Sequence, residues 1–144
     1  MNQDNVLDTR TAFLSDLSAM AGRATTCGPH AYKTAELEGP LLDLAVANAA
    51  KIKAVIHLVP NAIEPIYECC VLNESGRLQH QYQPSRNWVY GGPIIDAEYI
   101  GVMPVSDAWW RAGDVDGAGG FGPTALVAAM RCFVAAKFGP EVML

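Results

Sequence analysis

Near its carboxyl end the chain carries ALVAAMRCFVAAKF at residues 125–138, and this segment leaves the rest little freedom. Leu126, Val127, Met130, Phe133, Val134 and Phe138 recur at helical spacing, so a helix here must bury one apolar face. Thr124 stands where an N-cap is needed, while Lys137 and Gly139 supply the charge and the backbone geometry of a helix end. One charge interrupts the middle. Arg131 falls on a face of small residues with Thr124, Ala128 and Ala135, and a buried guanidinium needs an acceptor. Two readings follow. One is an internal pair with Asp43, Asp96 or Glu98; the other is recognition of a carboxylate or phosphate on a ligand.

The remaining segments must supply what that helix packs against. Pro40 marks the start of an earlier helix at 40–50, with Leu41, Leu42, Ala45, Val46 and Ala49 on its apolar stripe. Strand formers then give a strand at 53–59. A second strand is predicted at 66–72, with turn chemistry at 73–76 and a returning partner at 77–81. Prolines and paired glycines predict an irregular loop over 82–93. A short helix at 94–100 and strands at 101–105 and 109–112 follow. The glycine-rich stretch 114–122 is expected to be a mobile loop, and 141–144 an edge strand. This order predicts an α+β fold, a small antiparallel sheet packed by helices. Residues 34–144 form the domain. Residues 1–33 read as an extension, with Val6, Phe13, Leu14, Leu17 and Met20 at helical spacing and a linker over 23–33.

Composition sets outer limits. Of 144 residues, 51% are hydrophobic and 17% charged, enough apolar side chain for one folded domain. The net charge of −5 lacks the basic footprint of a nucleic-acid binder, so direct nucleic-acid binding is not expected. No segment approaches a membrane span, and the polar, acidic start MNQDNVLD carries no export signal, which points to the cytoplasm. Cys27, Cys69, Cys70 and Cys132 include no C-x-x-C, and His30, His57 and His80 lack zinc spacing. Neither a metal nor a cofactor is expected.

Several apparent motifs dissolve on inspection. Gly117 to Gly122 satisfies G-x-G-x-x-G, but no buried strand precedes it and too little chain follows its helix for a dinucleotide site. A weaker version remains, an anion on the free N–H groups at the start of the last helix beside Thr124. Asp114 and Asp116 lack the other ligands of a calcium loop. No catalytic residue is assigned, because three scattered histidines define no triad. The loop Tyr82–Pro93 is the richest candidate binding site: Tyr82, Ser85, Arg86, Asn87, Trp88, Gly91 and Gly92 place aromatic faces and hydrogen-bonding groups together, with Trp110 nearby. The plainer alternative has Trp88 filling the core, with Ser85 and Asn87 satisfying turn backbone.

Three segments in order resemble the NinX-like phage and prophage proteins, a family of unknown function. They are TAELEGPLLDLAVA at 34–47, YQPSRNWVYGGPII at 82–95, and WRA at 110–112 with GPTALVAAMRCFVAAKFG at 122–139. The family pattern is similar to a Leu-Asp-Trp-Ala-Val helix, then Tyr-x-Pro-Ser-x-Asp-Trp with Gly-Gly-Pro-Ile-Ile, then a Trp-x-Ala strand and a closing helix. Leu44, Asn87 and Asp96 stand where Trp, Asp and Glu are usual. The resemblance implies kinship with small phage proteins of helix/sheet/helix form and a place in the host bacterial cytoplasm, but no reaction.

The resulting expectation is a phage accessory protein, non-enzymatic, that binds a host or phage protein or a small anionic ligand and is able to form a homodimer. The alternative is a small enzyme or nucleotide- or anion-binding protein using Arg131 and the N-terminus of the last helix.

Overall fold

Gly39, at φ +54, turns the chain into helix α1 (Gly39–Ala49), where Pro40 sits in the first turn and gives up an N–H that no helix would use. The computed structural model describes residues 29–60 and 63–144. The expected helix within 6–20 and the first part of its linker lie outside those residues. Helix α1 stops at a paired closure: the Lys51 N–H donates to Asn48 O (3.1 Å) and the Ile52 N–H to Ala47 O (2.8 Å). Lys51 takes φ 58 to allow it, the left-handed step usually given to glycine.

Strands β2 (Ala54–Val59), β3 (Ile66–Leu72) and β4 (Leu78–Gln81) form an antiparallel sheet. Asn73 Oδ1 accepts from the Arg77 N–H at 2.9 Å, and Gly76 takes φ +75, closing the β3–β4 turn. Val55 pairs with Cys70, and Ile56 with Cys69, in the β2–β3 register. Both cysteines are buried.

Helix α2 (Trp88–Ala97) begins six residues before the expected one. Gly91, Gly92 and Pro93 read as breakers, at about 1 kcal/mol for each glycine. Tertiary contact overrides them. A Cβ on Gly91 would meet Pro84 O at 2.5 Å and Leu126 Cδ2 at 2.6 Å, so the helix approaches its neighbours only without a side chain there. Asn87 caps the start, its Oδ1 accepting from the Val89 N–H at 2.9 Å. Tyr99, at φ 52, ends α2 with the same paired closure as α1: the Ile100 N–H donates to Ile95 O at 3.0 Å.

Strands β5 (Gly101–Ser106), β6 (Trp109–Gly113) and β7 (Gly119–Gly122) form a second antiparallel sheet. β7 corrects the expectation of a mobile glycine loop. Gly120 and Gly122 face helix α3 (Ala125–Phe138), where a Cβ on Gly120 would meet Ala128 O and Cys132 N, and one on Gly122 would meet Val127 Cγ1 at 2.7 Å. These glycines serve close backbone approach rather than freedom. Thr124 caps α3 as expected, accepting from the Val127 N–H at 3.1 Å.

β1 (Ala31–Lys33) pairs antiparallel with β8 (Glu141–Met143), so the chain from 31 to 33, read as linker, is held by the carboxyl end. The architecture is α+β, with the described residues forming three small antiparallel sheets rather than one. Helix α3 lies between β5–β6–β7 and α1, and α1 in turn covers β2–β3. Leu41, Leu42, Val46, Met130 and Val134 are fully buried at the α1–α3 contact and the layers around it.

Candidate functional site

The loop before α2 is pinned from below by a carboxylate. Asp43, fully buried on α1, accepts from the Ser85 N–H at 2.8 Å, and its Oδ2 lies 3.8 Å from Arg86 Nη2. Neither Oδ2 nor Ser85 Oγ has a partner at full hydrogen-bond geometry among the described residues, although the Ser85 hydroxyl stays close enough to favour the carboxylate. Burial lifts the Asp43 pKa above 3.8, against Ser85 and Arg86, which favour the ionised form. Tyr82 is buried beside this group with its ring edge-on to Tyr90 at 5.3 Å, and burial pushes its hydroxyl up to about 12. Cys69 is likewise pushed up to about 12 by burial, with Asp43 adding to it. A thiol held protonated in this way is no nucleophile.

The predicted loop site therefore divides. Tyr82, Ser85 and Gly91 are interior packing and Asn87 is a helix cap, while Arg86 and Trp88 reach the surface. Trp88 is 56% exposed and does not fill the core. Its ring passes Gly92, where an added Cβ would stand 3.9 Å from Cε3. Trp110 is half-buried against the core. Its neighbour Trp109, which the sequence reading passed over, points outward from β6. The signal was available: in a strand reading Trp109-Trp110-Arg111-Ala112, alternation sends the first and third residues to the face opposite buried Ala112.

Arg131 sits elsewhere and is bound differently from the expectation. Its Nε donates to Leu37 O at 2.8 Å and its Nη1 to Phe121 O at 2.7 Å. The acceptors are carbonyls rather than Asp43, Asp96 or Glu98, because Asp43 is taken up by Ser85 and Arg86, and Glu98 pairs with Lys137 at 3.1 Å. Withdrawal from water lowers the Arg131 pKa, with the charge of Glu38 opposing that shift. The guanidinium forms part of a cleft of about 600 Å³ between the Thr34–Glu36 turn, β7 and the second half of α3. Trp109, Phe121, Ala135 and Pro140 line it together with Arg131. Thr34 Oγ1 donates to Gly139 O at 2.8 Å, satisfying one carbonyl at the helix end.

The other predicted anion element, the N-terminus of α3 at Thr124, is not brought to this cleft. Seven residues separate it from Arg131, about 10 Å along the axis. The carbonyl end of α3 is nearer, and its partial negative charge opposes an anion by about 0.3–1 kcal/mol, less than the about 1.5–3 kcal/mol of a charge-assisted hydrogen bond. Arg131 dominates the local field. Asp114 Oδ1 accepts from the Asp116 and Ala118 N–H groups at 3.1 and 2.8 Å, so its carboxylate shapes a turn. No group of His, Cys, Asp or Glu among the described residues is arranged to hold a metal.

The described residues thus form an α+β domain whose α1 carboxylate anchors a Pro-Ser loop, with a buried arginine in an apolar cleft beside its last helix. The chain is a member of the bacteriophage P22 NinX family, whose model matches residues 33–137. A search of curated proteins gives no match. The segments that carried the resemblance meet in space, Asp43 of the first holding Ser85 of the second. Asn87 stands at an N-cap, where Asn or Asp would accept the same bond.

Proposed function

We propose that this phage domain is a non-enzymatic binding domain that engages a host or phage protein in the host cytoplasm through the outer face of β5–β6–β7. The observation that carries the reading is a row across three strands: Met103, Arg111 and Phe121 stand opposite one another in register. Met103 is 54% exposed, Phe121 56% and, two residues along β6 from Arg111, Trp109 48%. Contiguous aromatic, methionine and arginine side chains are the composition enriched in protein interfaces. The sheet's other face covers α3, and among the described residues no helix packs on this one. Trp88 and Val89 form a smaller exposed apolar site at the start of α2.

The test is photo-crosslinking in phage-infected cells, with a crosslinking amino acid in place of Met103 or, as control, of exposed Gln79. A discrete adduct from position 103 that is absent from position 79 and lost on Trp109→Glu supports the reading. Equal adducts from both positions, or none from 103, refute it. The adduct mass separates a second copy of this chain from another protein.

A further inference from the structure

The cleft beside α3 holds a guanidinium that no carboxylate among the described residues contacts, the charge of Glu38 reaching it only from beyond ion-pair distance. Arg131 is 8% exposed, yet both of its hydrogen bonds end on neutral carbonyls, Leu37 O and Phe121 O. None of the ion pairs among the described residues includes it. A guanidinium carries five N–H donors. With Nε and one Nη1 hydrogen used, the second Nη1 hydrogen and both on Nη2 have no protein acceptor among the described residues. Buried charges are ordinarily paired, because an unpaired one forfeits its hydration without return.

The walls say what kind of group completes the pair. Among the described residues Arg131 is the single ionisable side chain lining the cleft, and Ala35, Trp109, Phe121, Ala135 and Pro140 make the surface around it largely apolar. One cation suits one negative charge. A phosphate dianion would leave a charge uncompensated against hydrocarbon, whereas a monocarboxylate on an apolar body matches both the guanidinium fork and the walls. The volume of about 600 Å³ lies within the range of small-molecule sites. We propose that this cleft binds a small organic acid, its aryl or alkyl body between Trp109, Phe121 and Ala135 and its carboxylate on the free donors of Arg131. The cleft shares Trp109 and Phe121 with the sheet-face reading, but ligand binding there is read on the chain alone and needs no protein partner, so either can fail without the other.

The experiment is an NMR titration of the full chain with 3-phenylpropionate, its alcohol 3-phenylpropan-1-ol, inorganic phosphate, and a short peptide ending in a free phenylalanine carboxylate. Arg131→Met would strip donors from one buried and one part-buried carbonyl and threaten the fold, so the informative variant is Ala135→Leu. It fills the cleft with a good helix former and leaves Arg131 in place. The expected result is saturable binding of the acid at cleft residues, binding of the alcohol weaker by about tenfold or more, and loss of acid binding in Ala135→Leu with cooperative unfolding retained. Equal affinity for acid and alcohol overturns the carboxylate role. Undiminished binding to Ala135→Leu overturns the location. No saturable binding by the acid, or a response to phosphate alone, overturns the site, and tighter binding of the peptide than of the free acid overturns a small-molecule occupant in favour of a chain end.

Discussion

Replacing Gly120 by alanine adds one methyl group where the structure has no room for it. The ideal Cβ would stand 2.6 Å from Cys132 N and 3.1 Å from Arg131 Cβ, and closer still to Ala128 O. Two of these three atoms are helix backbone, which no side-chain rotation can move. The strand must then withdraw by about 0.5–1 Å, a gap that already forfeits a quarter to a half of the dispersion attraction along the contact. It would also stretch the 2.7 Å bond from Arg131 Nη1 to Phe121 O. Overpacking commonly costs about 1–3 kcal/mol, and with backbone on both sides the expected loss is about 3 kcal/mol or more. Gly119 is the control. It faces away from α3, its added Cβ meets Ala112 O at an ordinary 3.4 Å, and neither glycine has positive φ. Gly119→Ala should stay within about 1 kcal/mol of the parent, helped by a less flexible unfolded chain. Urea denaturation followed by far-ultraviolet circular dichroism reads both. A Gly120→Ala loss below about 1 kcal/mol, or equal losses at the two positions, would refute the close-approach account of β7.

Trp88→Ala should cost less than about 1 kcal/mol in the same assay, since the indole is largely in solvent; a loss of about 3 kcal/mol would return it to the core. Lys51→Gly should stabilise the chain by about 0.5–1 kcal/mol, because lysine holds a left-handed φ of 58 that glycine adopts freely, and a loss of stability would contradict the helix closure described above. Asp43 has a raised pKa in the folded chain, so the native state holds its proton longer than the unfolded state does. The chain should therefore lose stability relative to Asp43→Asn as pH rises from 3.8 through the raised value, and parallel stability–pH curves for the two would exclude that account.

What could be read in the sequence was what periodicity and caps dictate. Thr124 and the apolar face through Phe138 place α3 within a residue of its observed ends, and Pro40 does the same for the start of α1. The three-segment resemblance predicted the family that the chain matches. Glycine misled twice, and for one reason. At Gly91, Gly92 and Gly120 a missing side chain reads locally as freedom, but at Gly91 and Gly120 it permits contact with backbone distant in sequence, which no local pattern contains. Arg131 was singled out correctly as a buried charge in need of partners. Its carbonyl acceptors, Leu37 and Phe121, could not be named, because every residue carries a carbonyl and only the fold selects among them. The aromatic face turned on a parity: Trp110 was chosen where Trp109 points out, a one-residue choice that period-two geometry makes all-or-nothing.

The pairing of β1 with β8 has a practical sequel. His30 and Leu144 exchange backbone hydrogen bonds of 2.8 and 3.0 Å, so both ends of the domain emerge at one corner, and Pro140, just before β8, is also a wall of the Arg131 cleft. Any tag, reporter or fusion partner, joined ahead of residue 30 or behind residue 144, thus starts from beside the same opening.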